Sequence, residues 1–101
     1  MAAYCIFDIH SESDPQAMAE YRRLVKPTIA AFGGRVLVTG HQLEVVEGGW
    51  QPKRPVIIEF PSLERVHEWF DSELYAELKT VRLAASEGDV VFMDGVPQSP
   101  G

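Results

Sequence analysis

The chain has one cysteine, no asparagine, three histidines, and no basic run longer than the pairs Arg22-Arg23 and Lys53-Arg54. Each scarcity excludes something. A lone Cys5 cannot close an intramolecular disulfide, and its thiol points to a reducing compartment. The missing basic cluster and the net charge of −6 argue against nucleic acid or an anionic membrane surface as the partner. No apolar stretch approaches the roughly 20 residues that cross a bilayer. The start "MAAYCIFDIH" lacks the basic beginning and unbroken apolar run of a signal peptide, so a cytoplasmic protein is expected. His10, His41 and His67 include no pair at the three- or four-residue helical spacing of a metal site, and no metal is expected. No Ser lies in a Gly-x-Ser-x-Gly elbow, and neither Gly-Gly pair has phosphate-loop spacing. No cofactor is expected.

What is present is a core-forming composition. The 101 residues are 46% hydrophobic, enough for one domain with one modest core. Ala3 to His10 alternates as a strand, with Cys5, Phe7 and Ile9 on one face and Tyr4, Ile6, Asp8 and His10 on the other. Asp14-Pro15 starts a helix. Met18, Tyr21, Val25, Ile29 and Phe32 form its apolar stripe, Pro27 predicts a kink or short break, and Gly33-Gly34 ends it. "RVLVTGHQLEVVEGG" reads as a second strand that bends or bulges at Gly40 and continues to about Glu47. A loop leads to a third strand, Pro55 to Phe60. Ser62 caps a helix turning Leu63, Val66, Trp69 and Phe70 inward, and Ser72 caps another with Leu74, Leu78, Val81 and Ala85 on one stripe. Gly88 stops that helix before the last strand, "DVVFMD", and residues 96–101 form a tail.

The order β-α-β-β-α-β is the split βαβ pattern of ferredoxin-like α+β folds, a four-stranded antiparallel sheet with helices on one face. Residues 1–95 make up this domain. Strands one, three and four are apolar on both faces, as Ile6 with Phe7, Ile57 with Ile58 and Val91 with Phe92 show. One helical layer covers only one face. A second copy of the sheet is the simplest cover for the other, so a homodimer is expected.

The segments "AEYRRLVKPTIAAFGGRVLVTG", "EVVEGGWQPKRPVIIEFPSLERVHEWFDSELY" and "GDVVFMDG" resemble the DUF1330 family of the dimeric α/β-barrel superfamily, from Tyr4 to about Gly95. The resemblance implies a ferredoxin-like dimeric barrel and leaves the function open. That superfamily includes cofactor-free monooxygenases, lactone isomerases, haem enzymes and stress-responsive barrels, and fold alone does not choose among them. Its monooxygenases orient phenolate-like substrates with Trp, Asn, Arg or Tyr. This chain has no Asn, a departure from that set.

Glu59 is the residue out of place. It stands in "VIIEF", where an ionised carboxylate needs a partner, and Arg35, His41 and His10 are its candidate donors. With His10 and His41 it forms a candidate proton-transfer set; an ion-pair network fixing dimer register is the other reading. Tyr21, Trp69 and Tyr75 either fill the core or line a cleft between helices and sheet, with Trp50 at the rim or the dimer interface. Together with Arg35 they are the candidate ligand contacts. Two functions fit: a cofactor-free monooxygenase- or isomerase-like enzyme for a small, partly aromatic metabolite, or a non-catalytic binding or structural dimer.

Overall fold

A computed structural model describes residues 1–97; the rest of the expected tail, 98–101, lies outside the described residues. The chain forms β1 (Ala3–Glu12), α1 (Pro15–Ala31), β2 (Arg35–Val38), β3 (Val56–Phe60), α2 (Leu63–Phe70), α3 (Glu73–Ala85) and β4 (Ser86–Asp94). The sheet order is β2-β3-β1-β4, with every pairing antiparallel. This is the ferredoxin-like α+β fold, its second helix divided into α2 and α3. No helix among the described residues is long and apolar enough to cross a membrane.

Alternation along β1 and β3 assigns the two faces. Ala3, Cys5 and Phe7 pair with Phe60, Ile58 and Val56 and point toward the helices. Beneath the helices Trp69 and Tyr75 stack with ring centres 4.3 Å apart, and both are fully buried. Tyr4, Ile6, Asp8, Ile57 and Glu59 occupy the outer face. The outward residues Val38, Val91 and Met93 are each more than 40% exposed, so this face is open in the single chain. One side chain departs from solvent-facing behaviour there: Asp8 is buried and accepts from Trp50 Nε1 at 2.9 Å.

Caps form as the side chains predict: Asp14, Ser62 and Ser72 accept from the backbone N–H groups of Ala17, Arg65 and Tyr75. Four expectations are corrected. The second strand ends at Val38 rather than near Glu47, because Gly40 takes φ +64° and turns the chain against Pro55, whose carbonyl would lie 2.6 Å from an added Cβ. α1 is not broken at Pro27; the proline and Arg23, whose carbonyl loses its helical donor, both face solvent, where that carbonyl is not desolvated. Gly88 does not stop a helix. It lies inside β4 opposite Ile9, where a Cβ would sit 2.3 Å from the Asp8 carbonyl.

The fourth correction concerns helix faces. Leu63, Leu74 and Val81 are exposed, and α3 buries Tyr75, Arg82 and Ala85 instead. Arg82 takes an inward position because its Nε donates to Tyr75 Oη at 3.2 Å and its guanidinium stands 5.3 Å from the centre of the Phe7 ring.

Candidate functional site

A cavity of about 420 Å³ lies between α1 and the sheet, within the range of small-molecule sites. Phe7, Met18, Val25, Ile29, Val56 and Ile58 supply its apolar walls. A β-bulge between Ile9 and Ser11 sets the last residues of β1 along one side, so that His10, Ser11 and Glu12 line the space consecutively. Strict alternation would turn one of them away; the extra residue re-aims the strand end.

Two buried polar groups reach this space, Tyr21 and Arg82. The Tyr21 and Tyr75 hydroxyls are 2.7 Å apart. Tyr75 already accepts from Arg82 and is fully enclosed, so its proton goes to Tyr21 Oη, the acceptor within reach. The chain Arg82–Tyr75–Tyr21 thereby leaves the Tyr21 proton to be donated into the cavity. Burial pushes both phenols above their ordinary range, so both stay neutral near pH 7. The inner polar groups are donors.

At the mouth, His10 Nε2 lies 2.8 Å from Asp89 Oδ2, which raises the imidazole pKa; desolvation opposes this, and the nearby Asp8 adds to it. Asp8, His10 and Asp89 bring one potential ligand atom each within 4.8 Å of one another, the one such group of three among the described residues. The second oxygen of Asp8 has no hydrogen-bond partner.

A family model described as a domain of unknown function (DUF1330) matches residues 2–96. The chain belongs to the DUF1330 family. Curated proteins offer no significant sequence match. Among solved structures, a protein of unknown function from Rhodopseudomonas palustris is similar at 18% identity and a TM-score of 0.77, over 96% of this chain and 84% of that one. SnoaB, a cofactor-independent oxygenase from Streptomyces nogalater, is similar at 15% identity and a TM-score of 0.52, over 99% and 96%. A dimeric protein of unknown function with a ferredoxin-like fold from Bacteroides fragilis is similar at 10% identity and a TM-score of 0.52, over 93% and 95%. At these identities the likeness is one of fold.

In this DUF1330 protein the residues singled out from the sequence fall into three groups. His10 and Tyr21 line the cavity, with Tyr75 bonded directly behind Tyr21. Trp69 lies deeper, its Nε1 donating to Thr28 Oγ1 at 3.0 Å. Glu59 and Arg35 meet on the outer face, and Trp50 reaches Asp8. His41 is exposed in the segment after β2. The set Glu59, His10 and His41 is therefore not brought together around the cavity.

Sequence reasoning missed Arg82, Arg22, Lys26, Lys53 and Arg54, all of which line the cavity. An arginine three residues before Ala85 on α3 was detectable by its spacing from Tyr75. Lys53 and Arg54 sit in an irregular segment whose path no periodicity indicates.

Proposed function

We propose that this protein binds a small, partly aromatic metabolite in the cavity under α1 and transforms it without a cofactor, His10 acting as the proton-transfer group. The observation that carries this reading is the cavity itself: apolar walls, two buried hydrogen-bond donors, and along one side the end of β1 with His10, whose Nε2 lies 2.8 Å from Asp89. Asp89 engages Nε2 of His10, which leaves Nδ1 as the free ring atom. Neutral imidazole removes a proton from an acidic C–H or O–H of the ligand, and Asp89 stabilises the imidazolium formed. Cofactor-free isomerisation and oxygenation both begin with that step. Support comes from the fold shared with SnoaB, a cofactor-independent oxygenase.

The same reading makes the chain a homodimer joined through its outer sheet face. Val38, Val91 and Met93 are exposed there, and Val45 and Val46 project from the segment after β2. The dimeric Bacteroides fragilis protein has this fold. Cys5 as a free thiol fits a cytoplasmic setting.

The test is incubation with a fractionated metabolite extract, followed by mass spectrometry of bound and released compounds. His10→Gln is expected to keep binding and lose turnover. A second reading, a non-catalytic binder, is favoured by the donor-only interior, since Tyr21 and Arg82 hold a ligand without taking its proton. It gains if the bound compound is released unchanged by both proteins.

A further inference from the structure

Charge is distributed unevenly around this cavity. The chain holds nine Lys and Arg against fifteen Asp and Glu. Five of those cations line the cavity, Arg22, Lys26, Lys53, Arg54 and Arg82, and one acid, Glu12. The ion pairs sharpen the contrast. Arg22, Arg23, Arg35, Arg65 and Lys79 each have a carboxylate partner. Among the described residues the four cations with no carboxylate partner are Lys26, Lys53, Arg54 and Arg82, and all four face the same space.

Arg82 is the decisive member. It is 5% exposed, donates through Nε to a neutral phenol, and makes no other side-chain hydrogen bond among the described residues. A guanidinium removed from water without a counter-ion is costly, and its remaining N–H groups require acceptors. Tyr21 presents one more donor at the same cavity.

We infer that the ligand is an organic carboxylate whose anionic group lies against Arg82 and Tyr21 and whose apolar body packs on Phe7, Met18, Val25 and Ile29. This rests on the reading of the cavity as a binding site. One buried cation balances one negative charge, and the planar guanidinium matches a carboxylate in two parallel hydrogen bonds. Lys26, Lys53 and Arg54 draw an anion toward the opening through a field that salt weakens.

The experiment is calorimetric titration with hexanoate, cinnamate and naphthoate, each beside its primary amide and amine, and with inorganic phosphate. Binding carboxylates are expected to exceed their amides by about tenfold or more in affinity and to weaken as salt is raised. Arg82→Gln is expected to abolish that preference, the carboxylate's affinity falling to within about twofold of the amide's in the same variant. Because Arg82 also supports Tyr75, a variant with Lys53→Glu and Arg54→Glu on the exposed side gives an independent arm: carboxylate association slows and amide association does not. Amides or amines binding as tightly as carboxylates overturn the inference, and so does phosphate binding more tightly than every carboxylate. If neutral probes bind and Val36→Trp, at the cavity wall, excludes them, the binding site stands and only the charge assignment falls. If no probe binds, the cavity reading falls with it.

Discussion

Arg35 and Glu59 stand opposite each other on β2 and β3, and Arg35 Nε donates to Glu59 Oε1 at 2.9 Å. Tyr4, the register partner of Glu59 on β1, donates its hydroxyl to Oε2 at 3.3 Å. The carboxylate thus ties three strands across the face away from the helices. Its Arg35 partner is largely solvated, which limits the strength of the pair. Glu59→Gln is expected to cost about 1 kcal/mol or less in urea unfolding and to leave cavity-ligand affinity unchanged. A loss of ligand binding with stability intact would move Glu59 into the site.

Ile57 lies on that same outer face, register-paired with Ile6 and followed by Val91 beyond it. Sedimentation is expected to give a dimer at low micromolar concentration. Ile57→Lys should weaken it while the far-ultraviolet circular dichroism of the helices stays the same. A folded wild-type monomer at that concentration would remove the homodimer proposal.

The hydrogen bond that His10 donates to Asp89 raises the pKa of His10 above its ordinary 6.5, with Asp8 adding to the effect, while desolvation and Lys53 oppose it. A group raised on folding contributes its full stabilisation below about pH 6.5 and loses it as pH climbs through the raised value. Nuclear magnetic resonance titration of the His10 ring should show the raised midpoint, and Asp89→Asn should return it toward the ordinary one. The proposed proton abstraction, which needs neutral imidazole, should increase across the same interval. A flat rate there excludes His10 as the base.

Cys5 is fully buried in mid-strand, and desolvation pushes its thiol up to about 12. A buried protonated thiol is a poor nucleophile. Ellman's reagent should leave the native protein unmodified and react with one thiol per chain in denaturant. Rapid native labelling would show that β1 opens locally.

Trp69 contacts the rings of Phe7, Phe60, Phe70 and Tyr75 and bonds to Thr28. Trp69→Ala is expected to destabilise the fold by about 3–5 kcal/mol in thermal or urea unfolding. A change below about 1 kcal/mol would contradict its place at the centre of the core.

Local pattern carried the fold a long way. The alternation of Cys5 and Phe7 against Tyr4 and Ile6, the caps at Asp14, Ser62 and Ser72, and the stripe Met18-Tyr21-Val25-Ile29 each depend on near neighbours in the chain. Those relations predict elements and faces, and four strands with one helical layer leave few topologies. The same logic marked Glu59 as needing a donor and named Arg35 among the candidates.

What depends on distant residues was decided only by tertiary packing. Gly40 ends β2 because Pro55 comes against it, a contact no local propensity contains. Arg82 is inward only because Tyr75 and Phe7 meet its guanidinium, which reverses the hydropathy expected for α3. Lys53 and Arg54 join Arg22 and Lys26 around one cavity although some thirty residues separate them in the chain. The sequence specifies how many charges exist and which elements carry them. Their convergence is a property of the fold, because electrostatic partnership depends on separation in space and burial, neither of which scales with distance along the chain.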